Sequence, residues 1–307
     1  MSKPFFSRAK SWRLCSKQAV YATMRSAGSG SRSAVSATNP PSASRTTRSP
    51  WPMGPLIILT GRIANRESNT PALSATQPSA QIRGSSDLIP PILSQASGVV
   101  LDIGPGTGTQ MPLLRSPAIR AIYGAEPCLG LHSELRARAA SEGLADKYHI
   151  LPCGVEACDL IPTLQTQGLL DHDTDMSPAH WSTGNPGDGV FDTIICVRVL
   201  CSVPNMQRAI RDLYTLLRPG GKLLVVEHVV NPWRTPKGSV VARGLQAMYG
   251  VLGWSWYMGN CCLNRDTADA LKMAAEMDGG WEFVELERWF ETTPMPYVSG
   301  VLVKRPR

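Results

Sequence analysis

The sequence predicts an α/β fold: a doubly wound, mainly parallel sheet of seven strands with an antiparallel edge. An apolar, β-branched run at 99–103 leads straight into a glycine-rich turn, which is typical of a buried parallel strand before a ligand-binding turn. Strand patterns then alternate with helical patterns up to residue 277, as in a sheet covered on both faces. The last two strand patterns, 281–289 and 297–304, follow each other without a helix, which predicts the antiparallel edge.

We expect residues 1–88 to form a disordered tail and residues 89–307 to form the folded domain. Residues 1–66 contain eleven Lys or Arg and no acid, and Ser, Thr and Pro are abundant. Such a composition cannot bury enough apolar surface to offset the entropy of ordering. The first fifty residues also match the composition of a mitochondrial transit peptide, although a solvated basic tail or a poorly defined gene start is the favoured interpretation.

The net charge of +7 comes from residues 1–66, because residues 67–307 carry 20 basic and 24 acidic side chains. A mildly acidic domain predicts no nucleic-acid partner. The eight cysteines include no C-x-x-C pair and the five histidines are scattered, so we predict no metal site. Cysteines inside apolar strands, such as Cys196, favour a reducing compartment. We therefore expect a cytoplasmic location, with a mitochondrial or peripheral membrane location as alternatives.

The strand at 99–103 contains one acid, Asp102, and ends at a turn with three alternate glycines, Gly104, Gly106 and Gly108. Glycine allows positive φ and lets backbone N–H groups approach a ligand closely. A dinucleotide fingerprint, G-x-G-x-x-G, needs glycine at position 109, where this chain has Thr109. An NAD-dependent oxidoreductase is therefore the less favoured interpretation.

A second strand pattern, 121–126, ends in Glu126 about twenty residues after the glycine turn. Folds that bind nucleotides in this way place an acid there to accept hydrogen bonds from ribose hydroxyls. A third strand pattern, 149–153, runs into the turn Gly154-Val155-Glu156. Glu156 equally fits the first-turn acid of the next helix.

The remaining elements follow from apolar periodicity and turn residues. A polar stretch at 166–190 predicts a flexible insertion loop, and glycine in the turn at 218–221 predicts a left-handed helix stop. The predicted helices are 131–142, 206–217 and 266–277, and the further strands are 191–197 and 222–226, the last leading to Glu227-His228.

Four successive features resemble the class I S-adenosylmethionine (SAM) methyltransferases: the glycine turn, Glu126, the 154–156 turn and Arg218-Pro219-Gly220-Gly221. The resemblance covers about residues 95–290 and implies a Rossmann-like fold with SAM as the methyl donor. Narrower marks lie at 199–203, 227–229 and 259–267. They resemble the methyltransferase-like group of animal alkyl-thiol methyltransferases and its fungal relatives.

The resemblance implies a role for each cofactor-binding candidate. Asp102 and the glycines of the turn would hold the methionine end of SAM, and Glu126 would hold the ribose. Val155 would pack on the adenine ring, and Glu156 would meet its exocyclic amine. Val197 and Arg198 come at the carboxyl end of their strand, where ligands bind in such sheets.

We expect the acceptor to be a small, fairly apolar molecule methylated on O, N or S, with the resemblance favouring S. A hydroxyl or thiol acceptor must lose its proton, and His228 is the candidate general base; a structural histidine is the alternative. A non-catalytic SAM-binding protein is the second hypothesis for the whole chain. The basic tail stands where members of that group usually have a hydrophobic anchor, so the resemblance leaves membrane association open, and the sequence does not indicate an oligomeric state.

Overall fold

The computed structural model of the protein describes residues 82–170 and 189–306. Most of the predicted tail and residues 171–188 of the predicted insertion loop lie outside the described residues. Leu88, at the end of the predicted tail, is only 1% exposed and packs in the core. The division of the chain at residue 88 stays a prediction.

The described residues contain seven strands in one sheet, in the order β3-β2-β1-β4-β5-β7-β6. The first five pair in parallel, whereas β7 pairs antiparallel with both β5 and β6. The predicted mainly parallel sheet with an antiparallel edge is confirmed. The strands are β1 Gly98–Ile103, β2 Ile119–Ala125, β3 Tyr148–Leu151, β4 Phe191–Val197, β5 Leu217–His228, β6 Phe283–Trp289 and β7 Tyr297–Val303.

One helix precedes β1, a short 3₁₀ helix (Met111–Leu114) connects β1 to β2, and α-helices occupy the later connections between parallel strands and follow β5. The α-helices are α1 Ile89–Leu93, α2 His132–Ser141, α3 Ala157–Thr166, α4 Met206–Leu216, α5 Val240–Val251, α6 Trp254–Tyr257 and α7 Thr267–Met273. Among the helices described, none is long and apolar enough to cross a membrane.

Alternate residues of the central strands pack into two separate hydrophobic cores. On β4, Ile194 and Cys196 pack in one core, whereas Ile195 and Val197 pack in the other. Because successive side chains of a strand point to opposite faces, both faces of the sheet are covered. The doubly wound arrangement therefore explains why residues 194–197 of β4 are all apolar rather than alternating.

The predicted glycine stop after α4 is wrong. The helix ends at Leu216, and Leu217 is already extended, with φ −73° and ψ 136°. Pro219 has no backbone N–H to donate and disfavours the helical conformation of Arg218 before it, so the helix ends ahead of Gly220. As a result β5 begins at Leu217, five residues before the predicted start at Lys222, and its first residue pairs with Phe191.

Candidate functional site

A pocket lies at the carboxyl ends of β1 and β4, which are neighbours in the sheet although the chain forms β2 and β3 between them. This is the topological switch point at which open α/β sheets bind their ligands. Residues from four places along the chain form its wall: the glycine turn, the segment after β2, the segment after β4 and the segment after α6. They are Gly104, Pro105, Gly106, Thr107, Thr109, Gln110, Glu126, Leu131, Val197, Arg198, Val199, Cys201, Ser202, Met258, Gly259 and Cys261.

The glycine turn adopts the left-handed backbone that the sequence predicts. Gly104, Gly106 and Gly108 have φ of +60°, +61° and +75°. A Cβ at Gly104 would lie 2.7 Å from Cγ2 of Val199, whereas the space at Gly106 is open. Gly104 thus allows the turn to approach the segment after β4, and Gly106 leaves its side of the turn free for a ligand.

Glu126 lies on the pocket wall directly after β2 and is tied to the glycine turn. Its carboxylate accepts the N–H of Gly106 at 3.0 Å and the N–H of Cys128 at 2.8 Å. Burial raises the pKa of Glu126, and these two hydrogen bonds oppose the rise. Each carboxylate oxygen has a second lone pair, so the group keeps the capacity to accept from ligand hydroxyls.

Asp102 lies beneath the turn and is not part of the pocket wall. Its carboxylate accepts hydrogen bonds from the hydroxyl of Tyr148 at 2.9 Å and from Nε2 of Gln110 at 3.3 Å. The side chain is fully buried, and burial raises its pKa to about 6. The structure therefore connects Asp102 to the pocket through Gln110, which does line it.

Val197 and Arg198 both line the pocket, as the sequence predicts. Arg198 has φ +55°, a backbone conformation that is uncommon for a residue with a Cβ. Its guanidinium donates to the hydroxyls of Ser85 at 2.7 Å and Ser86 at 3.1 Å. Arg198 thus links the segment before α1 to the carboxyl end of β4.

Glu227 on β5, which the sequence analysis did not assign to the site, fixes the segment after β4. Its buried carboxylate accepts the N–H groups of Val199 at 2.7 Å and Leu200 at 2.9 Å. Because Val199 lines the pocket and meets Gly104, Glu227 positions one wall of the pocket without belonging to it.

Val155 and Glu156 are not brought to the pocket wall. Val155 is 6% exposed and packs in the core, and Glu156 is the N-cap residue of α3, without a side-chain capping bond. The alternative for Glu156, an acid at the start of the next helix, agrees with this placement.

His228 ends β5 close to two cysteines, Cys201 and Cys261, which the sequence did not connect with it. Its Nε2 lies 2.9 Å from Sγ of Cys261, and the ligand atoms of Cys201, His228 and Cys261 all lie within 4.8 Å of one another. All three side chains are buried, yet both cysteines line the pocket whereas His228 does not. We call these three residues the Cys-His cluster.

The three side chains of the Cys-His cluster differ in the direction in which their pKa values are shifted. The hydrogen bond between the two cysteines lowers the pKa of Cys261, whereas that bond and burial raise the pKa of Cys201 well above its ordinary value. Burial would lower the pKa of His228, but contact with Cys201 raises it overall. Of the two cysteines, Cys261 therefore loses its proton more easily.

Sequence spacing hides this cluster because its members come from three separate segments. From the sequence, only Cys201 and His228 could have been placed near each other, because they come at the ends of neighbouring parallel strands. Cys261 lies in the segment after α6, and Trp254 at the start of that helix donates its indole N–H to Sγ of Cys261 at 3.2 Å. Of the three aromatic residues of α6, Trp254 packs beside Cys261, whereas Trp256 and Tyr257 are 61% and 70% exposed.

Comparisons with known proteins bear on the family to which the chain belongs. A family model described as a methyltransferase domain matches residues 79–285. Thiol S-methyltransferase TMT1B of Homo sapiens is 30% identical over 123 residues, which cover 38% of this chain and 45% of that protein. Phosphatidylethanolamine N-methyltransferase of Cereibacter sphaeroides is 25% identical over 174 residues, covering 56% of this chain and 68% of that protein.

The chain spans about half the length of the thiol S-methyltransferases that it matches. Among solved structures, geranyl diphosphate methyltransferase in complex with SAM aligns with a TM-score of 0.47 and 13% identity, covering 72% of this chain and 85% of that chain. The family match extends over more than half of the present chain and includes every strand from β1 to β5. The chain therefore belongs to the methyltransferase domain family, and the methyltransferase family predicted from the sequence is confirmed.

Proposed function

We propose that the protein transfers the methyl group of SAM to a small, fairly apolar acceptor. The observation that carries this proposal is the pairing of Gly106 and Glu126, which join the glycine turn to a buried carboxylate on the wall of one pocket. Both groups have the chemistry that the donor requires, and both lie at the switch point of the sheet.

The residues present fit SAM. The open space at Gly106 admits the methionine portion, since no side chain competes for it. The carboxylate of Glu126 suits the two ribose hydroxyls because it retains free acceptor lone pairs. Asp102 supports this arrangement from below through Gln110. Roles for Val155 and Glu156 at the adenine remain predictions, since neither lines the pocket.

Bound SAM supplies a methyl group already activated by the positive sulfonium, so the protein's main tasks are positioning and exclusion of water. Apolar side chains form much of the wall: Leu131, Val197, Val199 and Met258. Such a wall favours an apolar acceptor over a strongly hydrated one.

The acceptor atom is a separate question. The names of the relatives include a thiol S-methyltransferase and an N-methyltransferase, so sulfur and nitrogen acceptors both have support. The proposed role of His228 as a general base is indirect in this geometry. Its Nε2 contacts Cys261, and the cysteines rather than the imidazole face the pocket.

The proposal is tested with the full chain by calorimetry against SAM and against NAD. We expect SAM to bind, NAD not to bind, and Glu126→Gln to weaken SAM binding by about 1–3 kcal/mol, or about 5- to 150-fold. Glu134→Gln, an exposed glutamate in the first turn of α2, is the matched control. Mass spectrometry with a panel of thiols, phenols and amines then identifies the methylated product.

Failure of SAM to bind the wild-type chain would contradict the proposed donor. Binding of SAM without transfer to any acceptor would favour the second hypothesis, a non-catalytic SAM-binding protein. The cytoplasmic location, with its mitochondrial and membrane-surface alternatives, stays a prediction of the sequence.

A further inference from the structure

We propose that Cys201, His228 and Cys261 bind a zinc ion whose fourth coordination position faces the pocket and takes the sulfur of a thiol acceptor. Two cysteines and one histidine form a donor set that zinc prefers in proteins, and catalytic zinc sites keep three protein ligands and one open position. Neither the methyltransferase fold nor the donor site requires this ion. The thiol part of the inference rests on the proposed methyl transfer.

The geometry needs little adjustment to hold zinc. Zinc bonds of about 2.3 Å to sulfur and about 2.0 Å to nitrogen place tetrahedral ligand atoms about 3.5–3.8 Å apart. In the structure, Nε2 of His228 and Sγ of Cys261 are 2.9 Å apart, and the largest separation within the cluster is at most 4.8 Å. Side-chain shifts of about 1 Å would bring all three atoms to zinc-binding distances.

The surroundings hold the ligands in position. Trp254 donates its indole N–H to Sγ of Cys261 at 3.2 Å, the type of outer contact that orients a metal ligand. The chain also ties the two cysteines together, because Cys262 donates its backbone N–H to the carbonyl of Cys201 at 2.9 Å. Among the residues that the structure describes, these three form the group of His, Cys and acidic side chains that is suited to a metal.

The open coordination position of the proposed zinc would lie on the pocket side of the Cys-His cluster. Cys201 and Cys261 line the same pocket as Gly104, Gly106 and Glu126, whereas His228 lies outside the wall. A ligand that completes the coordination from the pocket side would therefore lie beside the methyl donor. A soft sulfur ligand suits a site that already contains two thiolates.

The transfer step balances without a further reactant. The acceptor thiol gives its proton to solvent when its sulfur takes the open position as a thiolate. That sulfur then attacks the methyl carbon of SAM, forming a new S–C bond. The C–S bond of the sulfonium breaks, and its electron pair stays on the sulfur of S-adenosylhomocysteine. The products are the methyl thioether and S-adenosylhomocysteine.

The metal site is tested first by metal analysis of the full chain, purified with a phosphine reductant and dialysed against micromolar zinc. We expect about one zinc per chain and a loss of at least 10-fold in bound zinc in Cys201→Ser, Cys261→Ser and His228→Gln. The matched control is Cys262→Ser, because the neighbouring Cys262 donates its thiol to the carbonyl of Asn260 and lies outside the cluster. Circular dichroism checks that each variant folds.

Zinc-free wild-type chain, or zinc retained in both Cys201→Ser and Cys261→Ser, would overturn the metal site. If a variant fails to fold, cobalt substitution in the wild type decides the point. Tetrahedral cobalt with thiolate ligands gives intense visible bands and a near-ultraviolet charge-transfer band, whereas absence of both bands would contradict the site.

The acceptor is tested on the cobalt-loaded wild type with thiophenol, phenol and aniline, which differ only in the heteroatom. We expect thiophenol alone to strengthen the thiolate-to-cobalt band, whereas an equal or absent response to all three would overturn the thiol assignment. These readouts do not use methyl transfer. A chain that binds zinc but not SAM would therefore contradict the proposed function and leave the metal site intact.

Discussion

Tyr148 on β3 reaches across β2 and donates its hydroxyl to Asp102 on β1, with 2.9 Å between the oxygen atoms. The intervening residue is Gly124, which pairs with Asp102 on one side and with Ile150 on the other. A Cβ at Gly124 would lie 2.5 Å from the tyrosine oxygen. Because Gly124 has no side chain, Tyr148 can reach the buried Asp102 below the glycine turn.

Tyr148→Phe should destabilise the protein by about 1–3 kcal/mol near pH 8, because it removes a donor from a buried carboxylate. Urea denaturation measures the free energy of unfolding. Tyr257→Phe is the control, since Tyr257 is 70% exposed. Equal stability of both variants would show that the bond to Asp102 contributes nothing.

Asp102→Asn should stabilise the protein above pH 6. Burial raises the pKa of Asp102 to about 6 from 3.8, so the native state binds more protons than the unfolded state between these values. Stability from this group is therefore complete at low pH and is lost as the pH rises through 6. The variant's advantage should reach at most about 3 kcal/mol above pH 6 and shrink towards pH 4. An advantage that does not vary with pH would contradict the assignment.

Gly124→Ala should destabilise the protein by about 1–3 kcal/mol, because the added methyl group overlaps the buried Tyr148. Gly244→Ala is the matched control. Gly244 lies within helix α5 with open space at its Cβ, and alanine there should be neutral or stabilise by up to about 1 kcal/mol. Thermal melts of both variants compare the two positions directly, and a destabilised control with an unaffected Gly124→Ala would refute the packing argument.

Glu227→Ala should reduce both stability and SAM affinity. The change leaves the N–H groups of Val199 and Leu200 without their acceptor, at a cost of about 1–3 kcal/mol. Glu227→Gln keeps an acceptor oxygen and should be milder. Glu287→Ala, on an exposed position of β6, serves as control. An unchanged affinity for SAM in Glu227→Ala would mean that this glutamate does not position the pocket wall.

Local chemistry explains which parts of the fold and site were predictable. Gly104 and Gly106 take positive φ, a property of glycine itself, and Glu126 stands at the end of a strand whose apolar pattern is plain. The sequence could therefore locate the turn and its acid without knowledge of distant residues.

Long-range contacts explain what was missed. The partners of Asp102 are Gln110 and Tyr148, and no spacing rule predicts that Tyr148 reaches across Gly124. Cys261 joins His228 only because the segment after α6 folds over the ends of β4 and β5. Sequence alone could not bring Cys201, His228 and Cys261 together, because it compares neighbours in the chain and not neighbours in space.

The contact between Trp254 and Cys261 places a fluorescent indole ring against a sulfur of the Cys-His cluster. The indole donates to the sulfur at 3.2 Å, so any event that changes that sulfur, such as alkylation or oxidation, changes the electronic surroundings of the ring. Because the chain has eight tryptophans, the difference in emission between the wild type and Trp254→Phe should register the chemical state of this cysteine.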